Sequence, residues 1–160
     1  MMFRIGHGYD VHRISNEAKP LMLGGVAVSA PFSLEAHSDG DVILHALTDA
    51  LLGAGALGDI GQHFPDTDPK HKNQASSDFL LHAQNSLSKL GYQIANIDIT
   101  VVAQVPRLAP YILEMRQHMA TLLQLELNQV NIKATTTEKL GFIGRKEGIA
   151  CYAVALIYQP

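Results

Sequence analysis

The 160-residue sequence predicts an α/β (α+β) fold: one domain spanning residues 1–160, built on a mixed four- to five-stranded sheet with helices packed on one face. Three observations predict it. Segments alternating apolar and polar residues are interspersed with three stretches whose apolar residues recur at helical spacing. No internal repeat, low-complexity tract or long Pro/Gly/Ser linker divides the chain. An apolar fraction of 47% against 17% charged residues suffices for one buried core without disulfide or metal staples.

The elements read β-β-α-α-β-α-β-β. Phe3 to Arg13 and Leu21 to Val28 form an opening strand pair joined by polar Ser15 to Pro20, with Gly24-Gly25 as a bulge. Ser38-Asp39-Gly40-Asp41 has capping-box spacing, and Ile43, Leu47, Ala50, Leu51 and Ala54 then follow a helical period until Gly55 and Gly58. A polar loop covers Gly58 to Ala75, long enough to suggest function. Ser76 or Ser77 caps a second helix with the stripe Phe79, Leu80, Ala83, Leu87 and Leu90, ended by Gly91. Ile97, Ile99 and Val101 mark a half-buried strand that Pro106 stops. A third helix runs from about Pro110 to Leu125, Val130 to Ala134 form a strand leading into Thr135-Thr136-Thr137, and Ile149 to Tyr158 closes the sheet.

Charge excludes some partners. Twelve Lys and Arg against 15 Asp and Glu give a formal charge of −3, and no basic run provides the footprint for duplex nucleic acid or an anionic membrane. Cys151 is the only cysteine and sits in an apolar run, as a small buried hydrophobe does. That run, Ile149 to Tyr158, is about half the ~20 residues of a membrane helix. The N-terminal residues lack both a signal-peptide apolar core and a transit-peptide bias. A cytoplasmic location is the resulting expectation.

Between Glu35 and Asp68 stand seven acidic residues and no Lys or Arg, with His37, His45 and His63 among them, a composition suited to cations. Asp10 and His12, two apart on a strand, project to the same side, where Gly6 and Gly8 leave room for another element to approach. His45 on the following helix completes an Asp/His/His set, with Asp41 or Asp49, four residues away on the same face, as the carboxylate that orients it. Three protein ligands without thiolate leave a fourth position open, the pattern of a catalytic metal. Zinc fits best, with manganese or cobalt as alternatives. Thr135-Thr136-Thr137-Glu138-Lys139 offers hydroxyls, backbone amides, a carboxylate and an ammonium in one short span, which suits a diphosphate with a second cation.

Taken together, these segments resemble the 2-C-methyl-D-erythritol 2,4-cyclodiphosphate synthases of the non-mevalonate isoprenoid pathway. The resemblance rests on Gly6-His-Gly-Tyr-Asp-Val-His12, Ala36-His-Ser-Asp-Gly-Asp-Val-Ile-Leu-His-Ala-Leu-Thr-Asp-Ala50, Gly58-Asp-Ile-Gly-Gln-His-Phe-Pro-Asp-Thr-Asp68 and Lys133-Ala-Thr-Thr-Thr-Glu-Lys-Leu-Gly-Phe142. It implies that Asp10, His12 and His45 hold zinc, the same trio that spacing selects, and that Asp10, Val11 and His12 also contact substrate. It also implies that His37 and Ser38 contact substrate phosphates, that His37 and Thr136 stabilise the transition state, and that Glu138 holds magnesium or manganese.

By the same resemblance, Asp59, Ile60 and Gly61 with Phe64, Pro65, Asp66, Thr67 and Asp68 form the erythritol-binding loop. Ala103, Gln104, Val105, Pro106, Arg107, Leu108 and Ala109 line the cytidine pocket with Thr135, Thr136 and Thr137. The implied assembly is a homotrimer with active sites between subunits, and Phe142, Arg145 and Glu147 near a threefold channel able to take an isoprenoid diphosphate. The implied reaction closes a cyclic diphosphate on a CDP-linked substrate and releases CMP. The competing readings are a metal-dependent nucleotide hydrolase and an isoprenoid-diphosphate-binding module. From the 160 residues, a fused cytidylyltransferase is not expected.

Overall fold

The computed structural model describes residues 1–65, 67–71 and 74–160, the side chain of residue 70 excepted. The strands are β1 (Met2–Ser15), β2 (Leu21–Leu23), β3 (Val26–Val28), β4 (Ser33–Leu34), β5 (Gln93–Val102), β6 (Val130–Thr135) and β7 (Gly148–Gln159). The helices are α1 (Val42–Ala54), α2 (Ile60–His63), α3 (Ser76–Lys89), α4 (Ile112–Leu123) and α5 (Gly141–Gly144).

Five strands form one mixed sheet in the order β4-β1-β7-β5-β6. Only β5 and β6 run parallel, because α4 returns the chain between them; the other pairs are antiparallel. One face is covered. Ile97, Ile99 and Val101 of β5 and Ile149, Cys151, Ala153, Ala155 and Ile157 of β7 are buried there against helices. Cys151 is the expected core hydrophobe, its thiol pushed well up by burial.

α1 lies across β1 and β7 at very short range. A Cβ on Gly6 would stand 1.8 Å from the Ala50 carbonyl oxygen, and one on Gly8 would stand 1.8 Å from that of Ala46. Only glycine permits this approach, as the alternation of β1 led us to expect. Ile43, Leu44, Leu47 and Leu51 of α1 are fully buried as a result, each contributing on the order of 1.5–3 kcal/mol.

Three local expectations need correction. Leu21 to Val28 does not pair with β1: β2 and β3 form their own hairpin, and Gly24-Gly25 is its turn, with φ of +60° and +75°. Two successive positive-φ residues reverse the chain between short strands, where a bulge would only bend it. Asp41, not Ser38, caps α1, accepting the Leu44 amide at 3.1 Å. Neither Ser76 nor Ser77 caps α3. Its N-cap is Ala75, and the Asp39 carboxylate accepts the Ser76 amide at 3.0 Å from another loop. The segment after Gly58 is also more ordered than a plain loop, since the Asp59 side chain caps α2 through the Gln62 amide at 2.9 Å.

Candidate metal centre and active site

β1 alternates, so Asp10 and His12 face the same side as Gly6 and Gly8, toward α1, and His45 sits in the first turn of α1 opposite them. The three donor atoms form a small triangle. Asp10 Oδ2 lies 2.8 Å from His12 Nε2 and 3.2 Å from His45 Nδ1, and the two nitrogens are 3.1 Å apart. Among the described residues this is the one group of three or more metal-capable side chains so arranged. A tetrahedral zinc with bonds of about 2.0–2.1 Å separates its ligands by about 3.3 Å, so the triangle fits one face of such a site.

Hydrogen bonds outside the triangle aim the imidazoles. The Glu35 carbonyl oxygen lies 2.8 Å from His12 Nδ1, so that nitrogen carries the proton and Nε2 presents its lone pair. His45 Nε2 lies 2.8 Å from Ser76 Oγ and 3.2 Å from Ser38 Oγ. Neither expected carboxylate reaches it. Asp41 turns away to accept the Gly24 and Gly25 amides at 2.9 and 2.7 Å, and Asp49 accepts the Ile60 amide at 2.8 Å. Helical spacing placed both near His45, but unpaired amides drew them elsewhere.

Burial pushes the Asp10 carboxyl up, yet hydrogen bonds from His12 and His45 and their charges outweigh it and leave the group at about 2. Burial lowers His12, whereas the hydrogen bond and charge of Asp10 raise it beyond the usual value. Asp49 is raised by burial.

A cavity of about 580 Å³ opens onto the triangle. Of the residues expected from sequence, Asp10, His12, His37, Ser38, His45, Ile60, Gly61 and Phe64 line it. Sequence reasoning missed Glu17, Glu35, Ala36, His71 and Phe79 in its wall, and no spacing signal marks them. Phe64 packs on Phe79 at 4.5 Å between ring centres, and His63 Nδ1 lies 3.0 Å from His82 Nε2. These contacts hold α2 against α3.

Other expected residues lie elsewhere. Val11 faces the opposite side of the sheet, where it joins His12, Arg13, Phe142, Glu147 and Gly148 around a second hollow of about 290 Å³. Arg145 Nε donates to Glu147 at 3.0 Å beside it. Asp59 is taken up in capping α2, Pro65 and Thr67 are exposed, and Asp68 faces His71 at 3.6 Å. Asp66 lies outside the described residues.

Ala103–Ala109 and Thr135–Glu138 meet at the far edge of the sheet. The Ala103 amide donates to the Thr135 carbonyl at 2.9 Å, and the Lys139 amide donates to Gln104 at 3.2 Å. Glu138 there adopts a left-handed backbone (φ 52°), its amide donating to Thr136 Oγ1 at 3.2 Å. Strands β7 and β5 separate β6 from β1. Three strand spacings put about 14 Å between the two groups of residues within one chain.

Known proteins resemble this chain in sequence and in fold. The 2-C-methyl-D-erythritol 2,4-cyclodiphosphate synthase of Stutzerimonas stutzeri is 60% identical over 157 residues, 98% of this chain and 99% of its own length. The IspF–CDP complex of Plasmodium falciparum aligns with a TM-score of 0.86 at 39% identity, over 98% of this chain and 96% of that one. The bifunctional IspDF of Campylobacter jejuni aligns with a TM-score of 0.93 at 47% identity; 98% of this chain covers 42% of that longer one. The family model described as the YgbB family matches residues 3–158, all but two residues at each end, and the chain belongs to that family.

Proposed function

We propose that this chain converts 4-diphosphocytidyl-2-C-methyl-D-erythritol 2-phosphate into 2-C-methyl-D-erythritol 2,4-cyclodiphosphate and CMP, a step in making isoprenoid precursors. The observation that carries the reading is the Asp10/His12/His45 triangle opening onto a cavity, in a chain 60% identical to a synthase of that name.

The substrate's 2-phosphate oxygen attacks the β-phosphorus, the bond from that phosphorus to the bridging oxygen breaks, and CMP leaves with the electron pair. A phosphate monoester with a second pKa near ~6 is already largely dianionic at neutral pH, so no protein base is needed. The difficulty is bringing two anions together. Asp10, His12 and His45 would hold zinc and Glu138 a magnesium or manganese ion; when bound, these cations screen the phosphates and polarise the electrophile. His37 and Ser38, on the loop before α1, hold the phosphates beside the triangle. Thr136 and His37 donate to oxygens whose charge grows in the transition state. Asp59, Ile60, Gly61 and Phe64 close around the erythritol, and backbone groups of 103–109 and 135–137 hold the cytidine.

Separation of these residues by three strand spacings, from β1 to β6, supports active sites shared between copies of the chain. A homotrimer accounts for a second feature as well. The sheet face turned away from α1 exposes Phe3, Ile5, Tyr9, Val11 and Tyr152, an apolar surface suited to burial between copies. Phe142, Arg145 and Glu147 then stand near the threefold axis, where a channel could take an isoprenoid diphosphate. No described helix is long and apolar enough to cross a membrane, and a cytoplasmic enzyme is the consistent reading.

The test is product analysis with the synthetic substrate in ¹⁸O-labelled water. Cyclic diphosphate and CMP free of solvent oxygen are expected from the parent, and His45→Ala should lose bound zinc and nearly all CMP release. An acyclic phosphate carrying ¹⁸O would mean hydrolysis. Zinc-free His45→Ala cyclising at the parent rate would remove the metal centre from the mechanism.

A further inference from the structure

We propose that Ser76 and Asp39 are positioning residues for the metal ligand His45, acting as a carboxylate–hydroxyl–imidazole relay; the proposal rests on the reading that Asp10, His12 and His45 bind zinc. To ligate through Nδ1, His45 must carry its ring proton on Nε2, and that proton needs an acceptor. Ser76 Oγ is 2.8 Å from Nε2. A hydroxyl accepts there only if its own hydrogen points elsewhere, and it does: Ser76 Oγ donates to Asp39 Oδ1 through a short hydrogen bond. Both Asp39 oxygens already accept backbone amides, from Ser76 and Asp41, so the carboxylate is the accepting end and the direction of the chain is set there.

Geometry and burial favour Ser76 over the alternatives. Ser76 is fully buried, so bulk water cannot replace its hydroxyl. Asp39 is itself fixed, since Oδ2 accepts the Ser76 amide at 3.0 Å and Oδ1 accepts the Asp41 amide at 3.1 Å. Ser38 is the other hydroxyl near Nε2, at 3.2 Å, but it accepts from the Gly40 amide at 3.4 Å and faces the cavity. With Ser76 holding the imidazole proton, Ser38 stays available to a ligand in that cavity.

The two histidines are therefore oriented differently. His12 is aimed by a neutral peptide carbonyl, whereas His45 is aimed through a hydroxyl by a negative charge, which makes its Nδ1 the more strongly donating nitrogen. The relay also joins the N-terminus of α3 to the loop before α1. Docking of α3 and readiness of the ligand thus become one event.

Zinc affinity of the metal-depleted full chain, measured by competition with a chromophoric chelator, tests this, with cobalt absorption spectra as a report on coordination. Ser76→Ala removes the hydroxyl while keeping the amide that Asp39 accepts, so it isolates the relay from the helix cap. The expected result is zinc bound about 10–100-fold more weakly, with shifted cobalt bands and an unchanged far-ultraviolet spectrum. Asp39→Asn should weaken zinc similarly, and Ser76→Thr should bind within a few-fold of the parent. Ser76→Ala or Asp39→Asn proteins binding zinc as tightly as the parent would overturn the relay. So would a well-folded Ser76→Thr protein that binds as weakly as Ser76→Ala. A parent that takes up no zinc, or takes it up equally well as His45→Ala, would instead overturn the metal-centre reading beneath it.

Discussion

The α-carbon of Gly8 faces the Ala46 carbonyl so closely that an added methyl group would stand 1.8 Å from the oxygen. Ala46 follows His45, so the separation of β1 from α1 also sets the separation of Asp10 and His12 from His45. Gly8→Ala must push the helix outward. A loss of about 3 kcal/mol of stability is expected by chemical denaturation, together with weaker zinc binding in the fraction that folds. A variant with parent stability and parent zinc affinity would show that α1 can retreat without cost.

Asp41 accepts three amides at once, from Gly24, Gly25 and Leu44, and is fully buried. It therefore ties the β2–β3 turn to the start of α1. Asp41→Ala leaves those donors unpaired and should lower stability by about 3 kcal/mol, measured as a drop in Tm. Substitution of the exposed Glu114 on α4, with no comparable partner, supplies the control.

The Asp10–His12 contact makes the metal-free protein's stability depend on pH in two directions. The Asp10 carboxyl falls from 3.8 to about 2 in the folded chain, so its contribution is present above 3.8 and is lost as pH falls toward 2. His12 is raised above 6.5, so its contribution is present below 6.5 and is lost as pH rises through the folded value. Metal-free protein should gain most from this pair between about pH 4 and 6.5. If zinc binds at His12 it competes with the proton there, so the Tm of zinc-loaded protein should keep rising above that window. Thermal scans of both forms across pH 3–8 check the crossing.

If each active site takes its zinc ligands from one copy and Glu138 from the next, two inactive variants should complement each other. Glu138→Ala should keep zinc yet lose its response to magnesium, while His45→Ala should lose zinc. Random mixing of equal amounts after subunit exchange restores both halves at about one site in four. CMP release near a quarter of the parent rate is expected. Mixtures no more active than their components would place each site within one chain.

Much of this centre was legible because short-range periodicities carry it. Two-residue alternation in β1 put Asp10 and His12 on one side, and Gly6 and Gly8 on that side announced the helix bearing His45. The same reasoning failed one step further out. Four-residue spacing nominated Asp41 and Asp49 to orient His45, but local spacing says only which residues share a face, not which unpaired amides compete for them. Asp41 was claimed by the hairpin turn and Asp49 by the first turn of α2. Ser76 and Asp39 stand 37 residues apart, and no period relates them. The Gly24-Gly25 turn was misread for a related reason: two glycines permit either a bulge or a reversal, and the choice depends on a carboxylate from a later helix.

If copies of the chain associate through the outer face of the sheet, where Phe3, Ile5, Tyr9, Val11 and Tyr152 are open to solvent in one copy, concentration becomes a variable of folding itself. Dilution leaves that surface bare and should lower the unfolding temperature, whereas crowded chains shelter it and rise together. Under that association newly made protein would face a race between orderly assembly and indiscriminate clumping, and substitutions on that face should alter yield in the cell before they alter chemistry.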